Sequence, residues 1–441
     1  QDGMWRIRIR QRARLRGQVI HQRCGQWGSV FLALIGNLFF YTGLAVSLVI
    51  GLLYFRDLGD VTQMVLKVKR DNMARFIRNE FRFLAVGLAA AAVMTLAHFA
   101  FGGGPFWLWL VSILLIAVLY AFPYVWVHVG LRNQKNTAKY LPVRDAMEWV
   151  SPSSQVLVIE NNGVARAHPD AQIMRPHLAG NREGLAGENV IMTYCAMANL
   201  GIGYTPKIEG EDLDLQVLAQ HGNNLILRDN RTGEPIQQIY GFRDRDAAPS
   251  ENGPACPVRP QMAMRPWPTF RMTMRGFQKA YPDGKVFINM PSENPLLFLF
   301  DLAIETIFSS EISRQHRVNE PIIRNMNRAP DKRLHNKTYV WGVDIDGDVV
   351  CWTDDFVIES GNIVNARVGT RDLVVAWDPK FESLGVWYND TDAPVTEIDF
   401  FGVTPAGKLR RVETVRPGMF WHVWAEYFPN TDINRIGAVS D

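Results

Sequence analysis

Residues 29 to 55, SVFLALIGNLFFYTGLAVSLVIGLLYF, run for 27 positions without a charged side chain. At about 1.5 Å of rise per residue, such a helix is longer than a hydrocarbon core of roughly 30 Å and spans it with some tilt. The apolar region of a cleaved signal sequence is shorter. A second run, 83 to 101, is rich in alanine and suits packing against neighbouring helices. After the break Gly102-Gly103-Gly104-Pro105, a third run covers 106 to 127. It carries Trp107, Trp109, Tyr124 and Trp126 near its two ends, where aromatic side chains favour the membrane interfaces. The sequence therefore predicts an α-helical transmembrane region over 29–130, with spans at 29–55, 83–101 and 106–127.

Charge supports a membrane surface as partner. Residues 1 to 130 hold 14 Lys+Arg against 5 Asp+Glu, while the remainder holds 33 against 39. A basic front beside apolar runs suits a bilayer surface, and an acidic body argues against nucleic acid. The segment 1–28 reads as a basic cytoplasmic tail, with Arg6, Arg8, Arg10 and Arg12 at the membrane interface. Three spans from that tail put the body outside the cytoplasm. The loop 56–82 carries seven Lys+Arg and pulls the other way, unless it lies as an amphipathic interfacial helix. Val61, Met64, Val65, Val68, Met73, Phe76 and Ile77 recur at nearly helical spacing there.

After a linker at 131–150, short β signals dominate. SQVLVIENNGVARAH, ENVIMTYCAM, NNLILRDNRTGEPIQQIYG, TYVWGVDIDGDVVCWT, TRDLVVAWDP and LGVWYN are separated by turn residues. The expected fold is mainly β, a β-rich α+β body. One segment, 294–312 (NPLLFLFDLAIETIFSSEI), is helical in length and apolar except for Asp301 and Glu305, one turn apart on one face. It is a core helix, a segment on the bilayer, or a partner contact through Leu296, Leu297, Phe298, Leu299 and Phe300.

Two stretches echo each other. VIENNGVARAHPD at 158–170 is matched by VDIDGDVVCWTDD at 343–355, and each is followed by another strand. This predicts two similar β units, 151–290 and 331–435. Gly163 with Ala167-His168-Pro169, then His177, then Thr193-Tyr194-Cys195, then FRMTMRGFQKAYPDGKVF, DKRLHNKTYVWGV and FWHVWAEYFPNT follow in order. In that order the chain resembles the family known as domain of unknown function 3179, over about 150–435. The resemblance implies a fold context and an extracytoplasmic, periplasmic or lumenal body on a bacterial inner or intracytoplasmic membrane. It implies no reaction. Members typically read T-Y-C-P-x-C; here Ala198 stands at the second cysteine, and His168 replaces a usual tyrosine.

Cys195 has three readings. It is a thiolate ligand of a copper-type site with His177, a weak Met197 thioether and His221 or His168. It is a nucleophile paired with His177 and an acid such as Asp170. Or it is a small core residue, since free cysteine is among the most buried types. The four cysteines make no C-x-x-C pair; Cys256 and Cys351 can bridge if the body is extracytoplasmic. Asp344, Asp346 and Asp348 read as a turn rather than a calcium loop. The glycines of 180–189 come without the lysine a phosphate cradle needs, and Trp421, Trp424 and Phe428 read as core.

Two functions follow as expectations. The first is a membrane-anchored binding or scaffold protein without catalysis, self-associating or an accessory subunit of a larger membrane complex; three spans exceed what an anchor requires. The second is a copper metalloprotein or redox accessory protein built on Cys195. A transporter is disfavoured, since the spans hold no Asp, Glu, Lys or Arg and His98 is their one histidine.

Overall fold

The computed structural model describes residues 31–59, 62–63, 66–248, 255–323, 326, 328–391 and 393–437. The basic tail with Arg6, Arg8, Arg10, Arg12 and Cys24 lies outside the described residues, as do Val61, Met64 and Val65. Three helices are long and apolar enough to cross a membrane: Phe31–Leu58, Arg70–Phe101 and Phe106–Gly130, here α1, α2 and α3. The chain divides into two compact units. One holds the described residues up to Asp57 with Asn79–Tyr124; the other holds Leu58–Arg78 with Val125–Asp441.

In the helical unit, Phe40, Met94, Ile116, Leu119 and Tyr120 form a small core, while Phe31, Leu34, Leu96 and Phe99 face outward. Apolar side chains on both the inside and the outside are what a hydrocarbon solvent allows. Close helix approach is set by glycine: a Cβ on Gly43 would stand 2.6 Å from the Ala90 carbonyl oxygen. Two buried tyrosines in the unit are internally bonded. The Tyr54 hydroxyl donates to Glu80 at 2.8 Å, and Tyr120 donates to the Ser47 carbonyl at 2.9 Å. Trp107 is 65% exposed and Tyr124 is also exposed, whereas Trp109 is partly buried and stacks on His98.

The stretch 56–82 departs from its expected place. It does become helical from Arg70, and Asn79 interrupts that helix with non-helical φ −123° and ψ 17°. But Val68, Met73, Phe76 and Ile77 are buried within the strand-rich unit instead of lying on an interface. In the same stretch Arg70 pairs with Asp244, and Arg78 with Glu234 at 3.0 Å.

The strand-rich unit contains several small sheets. A five-stranded sheet runs in the order Lys139–Pro142, Lys285–Ile288, Val164–Pro169, Gln155–Asn161, Thr269–Thr273. A four-stranded sheet runs Arg416–Phe420, Tyr339–Ile345, Asp348–Trp352, Asp432–Ile433. Each is centred on a hairpin whose two-residue turn sits in the left-handed region: Asn162 (φ 51°) and Gly163 (φ 83°), Asp346 (φ 55°) and Gly347 (φ 82°). Those are the residues that tolerate such a turn, and its twist matches that of the strands. In each sheet the hairpin's second strand has a parallel neighbour from far along the chain, Lys285–Ile288 in one and Asp432–Ile433 in the other. Antiparallel sheets of Leu178–Ala179, Ile191–Cys195, Leu200–Tyr204, Pro266–Trp267, of Leu215–His221, Asn224–Asp229, Pro235–Gln237 and of Ile363–Val368, Arg371–Asp378, Ser383–Tyr388 complete the larger layers. Trp421, Trp424 and Phe428 are buried, as their spacing predicts.

The expected linker is part of the fold. Lys139–Pro142 is an edge strand, and Val143, Ala146 and Val150 are buried. Its polar composition reads as linker because its side chains satisfy backbone elsewhere; Asn133 donates to the Leu215 carbonyl at 2.9 Å. The apolar segment expected over 294–312 is the 22-residue helix Pro295–His316.

Candidate functional site

Strand Ile191–Cys195 is buried at every position and turns into Leu200–Tyr204 through Asn199, whose φ is 52°. Alternation along the strand sends Tyr194 and Cys195 to opposite faces, and they enter different core clusters. The turn between them gathers three groups of side chains.

On the Cys195 face, Cys195, His177 and Met197 line one small cavity of about 20 Å³, together with Trp126 and Gln220. Space of that order holds a single water. The Cys195 thiol donates to the Asn223 carbonyl at 3.6 Å, which needs the protonated form. His177 takes a left-handed backbone, φ 57°, and its carbonyl accepts from Tyr194 N at 2.7 Å. Burial pushes its imidazole down to about 4, so it is neutral at pH 7. The side-chain N and O of Gln220 are sealed from solvent without a hydrogen-bond partner among the described residues. His221 does not line this cavity, and burial, then the charge of Arg70, pushes it down to about 4. Among the described residues no three His, Cys, Asp or Glu side chains stand close enough to hold a metal ion.

On the Tyr194 face, a buried polar network takes over. Tyr194 donates to Asn199 Oδ1 at 3.0 Å, and Asn199 Nδ2 donates to the Gly418 carbonyl at 2.8 Å. Arg271 donates to the Asn199 carbonyl at 2.8 Å, the Pro417 carbonyl at 3.0 Å and Asp170 Oδ2 at 2.6 Å. Asp170, the acid considered for a cysteine–histidine pair, is therefore engaged by Arg271. Burial raises its carboxyl despite that guanidinium, and its Oδ1 has no partner among the described residues.

The third group has little signature in the sequence. His316 Nε2 lies 2.6 Å from the Ala196 carbonyl. The Lys337 amine stands 4.7 Å above the Phe420 ring, without a hydrogen-bond partner among the described residues, and burial pushes it down to about 8. His422, which contacts the Asn336 carbonyl at 2.7 Å, is pushed down by burial to about 3. Lys337 falls inside DKRLHNKTYVWGV, the segment that best carries the resemblance, and its place in that motif is the signal that points to it.

Comparison with family models decides the family. A model described as "Protein of unknown function (DUF3179)" matches residues 135–431. The chain belongs to the DUF3179 family. Comparison with curated proteins and with solved structures finds no match. The DUF3179 match begins within the stretch expected as a linker, as the edge strand at Lys139–Pro142 requires. Ala198, at the position of the second motif cysteine in the DUF3179 resemblance, is buried in the same core as Cys195. Cys256 is exposed and Cys351 buried, and both are free thiols, so the bridge that the sequence leaves open is not formed.

The remaining candidate residues fall as follows. Trp126, expected at a membrane interface, lines the Cys195 cavity, where α3 continues past Val125 as a π-turn, Trp126–Gly130. On Pro295–His316, Leu297, Phe298 and Leu299 are exposed and Phe300 is partly buried; the Leu296 side chain lies outside the described residues.

Proposed function

We propose that this DUF3179 protein is a membrane-anchored binding or scaffold subunit whose extracytoplasmic body docks on another membrane-resident protein through the Pro295–His316 helix. The observation that carries this reading is the helix's inverted polarity. Its Asp301 carboxylate turns inward, onto Arg175 and Arg132 at 2.7 Å each, while Leu297, Phe298, Leu299, Leu302 and Ile307 face out. Leu299 and Ile307 are 63% and 64% exposed. The patch is bounded by exposed Glu293 and Asn294 before it and by exposed Ser310 after it. An apolar patch rimmed by polar residues suits a protein interface; a helix lying on lipid carries its apolar face along its full length. Three apolar helices suggest a membrane by length and composition, and the basic tail favours an outside body.

The body reads as two similar units, 151–290 and 331–435. Supporting this are the like turns at Asn162-Gly163 and Asp346-Gly347, and the distant parallel partner in each sheet. Each unit also has a helix leading to an aromatic-proline step, Tyr281-Pro282 and Phe428-Pro429, with Tyr281 N and Phe428 N both donating to a carbonyl four residues back at 2.8 Å.

The test is a photo-crosslinking residue at Leu299 in native membranes, with exposed Glu359 as the control position. A discrete protein adduct, hetero- or homo-oligomeric, from Leu299 alone is expected. Adducts to lipid only, or equal adducts from Glu359, overturn the reading.

A second reading, a soft-metal site, draws on the convergence of Cys195, His177 and Met197 on one cavity. Copper that copurifies in stoichiometric amount and is lost in Cys195→Ser supports it; metal at background in both proteins ends it.

A further inference from the structure

A cavity of about 310 Å³ lies in the strand-rich unit apart from the 194–199 turn, lined among others by Glu160, Phe270, Tyr281, Phe401, Lys408 and Arg411. Its size is at the lower end of the range for small-molecule sites. Phe270, Tyr281 and Phe401 give it aromatic walls.

Arg411 is its unusual member. The guanidinium carbon stands 4.3 Å from the centre of the Phe270 ring, 4.6 Å from Trp387 and 4.8 Å from Phe400. Among the described residues one hydrogen bond, to the Phe400 carbonyl at 2.5 Å, engages it, out of the five donors a guanidinium carries. It forms no ion pair among the described residues. The nearby acidic groups, Tyr281, Glu160 and Asp399, do not offset its desolvation, and burial pushes it down to about 10. The neighbouring Arg410 is already engaged by Glu413 at 3.0 Å and stands over Tyr388. Two further donors border the same space without a partner among the described residues: the exposed Lys408 amine and the Tyr281 hydroxyl. Glu160 is the one carboxylate in the lining, and one of its oxygens accepts from Gly163 N at 2.5 Å.

We propose that this cavity binds a small organic carboxylate with an apolar, aromatic-sized body. The carboxylate meets Arg411, Tyr281 and Lys408, and the body lies between Phe270 and Phe401. A carboxylate matches the planar fork of a guanidinium, and the charge-assisted bonds it makes there are the strong kind. The rings contribute burial of the apolar part. An inorganic anion uses the cations but leaves the rings uncovered, and a neutral ligand leaves the guanidinium uncompensated.

The full-length protein in mild detergent, titrated calorimetrically with 3-phenylpropionate, tests this. The comparison ligands are 3-phenylpropan-1-ol and inorganic phosphate. Saturable binding of the carboxylate is expected, with each comparison ligand at least about tenfold weaker. Arg411→Met is expected to weaken the carboxylate at least about tenfold. Because Arg411 is packed among rings, Lys408→Met combined with Tyr281→Phe gives an independent reading at the rim, with a loss of roughly three- to tenfold. No saturable binding of 3-phenylpropionate, equal binding of the alcohol or of phosphate, or unchanged affinity in the rim variant overturns the proposal.

Discussion

The Arg175 guanidinium donates to the Asp301 carboxylate at 2.7 Å, with both side chains almost closed to solvent. The same guanidinium donates to the Gly130 carbonyl at 2.7 Å, and Asp301 also accepts from Arg132 at 2.7 Å and from Ser292 N at 3.1 Å. This cluster turns the polar side of the Pro295–His316 helix inward and so leaves its apolar side exposed. Asp301→Ala strands a buried cation and is expected to cost about 3 kcal/mol of stability. The measurement is the thermal melt of the strand-rich unit in detergent. A melting temperature unchanged in Asp301→Ala removes the anchoring role.

Gly342, the glycine of the VWGV segment, faces the Trp424 ring, and a Cβ there has no room beside it. Gly342→Ala is expected to destabilise by about 2 kcal/mol through forced displacement of a fully buried indole. Gly347→Ala, where nothing lies within 4 Å but φ is 82°, separates backbone strain from this overpacking. Chemical denaturation of the two variants gives both values. Trp424 fluorescence, compared with Trp424→Phe to isolate it, shifts in Gly342→Ala and holds in Gly347→Ala.

Histidines that are buried neutral give a signed pH dependence. His168 and His422 are fully buried and pushed down to about 3 by burial, while the unfolded chain protonates histidine near 6.5. Between these values the unfolded state binds more protons, so this contribution to stability is fully present above about 6.5 and is lost as pH falls toward the folded values. Each such histidine costs up to about 1.4 kcal/mol per pH unit in that window. His168→Phe is expected to flatten the stability profile from pH 6 to 4. A profile with the same slope in the variant and the parent rejects the assignment. Lys337 adds an opposite-side window: its folded value of about 8 lies below the ordinary lysine value, so stability gains as pH rises from 8 toward 10.5.

What the sequence made legible follows its local chemistry. The apolar runs, the Asn-Gly and Asp-Gly turns and the tryptophan stripe are each decided within one segment, by length, by left-handed backbone tolerance or by helical spacing. Cys195 and His177, paired by residue type in the sequence, line one cavity. Contacts that join distant segments carry no local trace. The parallel pairing of Lys285–Ile288 with Val164–Pro169, the capture of Asp170 by Arg271 and the entry of Trp126 into the Cys195 cavity are of this kind. His221 is a candidate for the site by residue type, and it does not line the cavity. The polar stretch at 131–150 reads as a linker because its hydrogen-bond partners, such as the Leu215 carbonyl, lie far along the chain.

Thiol reactivity discriminates the environments of the three described cysteines. Cys256 is exposed, Cys195 is buried with its thiol donating to Asn223, and burial pushes Cys351 up to about 12. The thiolate is the reacting form, so access and ionisation both oppose reaction at Cys195 and Cys351. In the folded protein near pH 7, a maleimide read out by peptide mass spectrometry is expected to modify Cys256 rapidly. Cys195 and Cys351 react at least about a hundredfold more slowly and only through opening of the body, so moderate urea accelerates both together. Fast modification of Cys195 in the native protein would reverse the core assignment and favour the nucleophile reading. Protection of Cys195 that chelation abolishes, while Cys351 stays protected, would favour the metal reading.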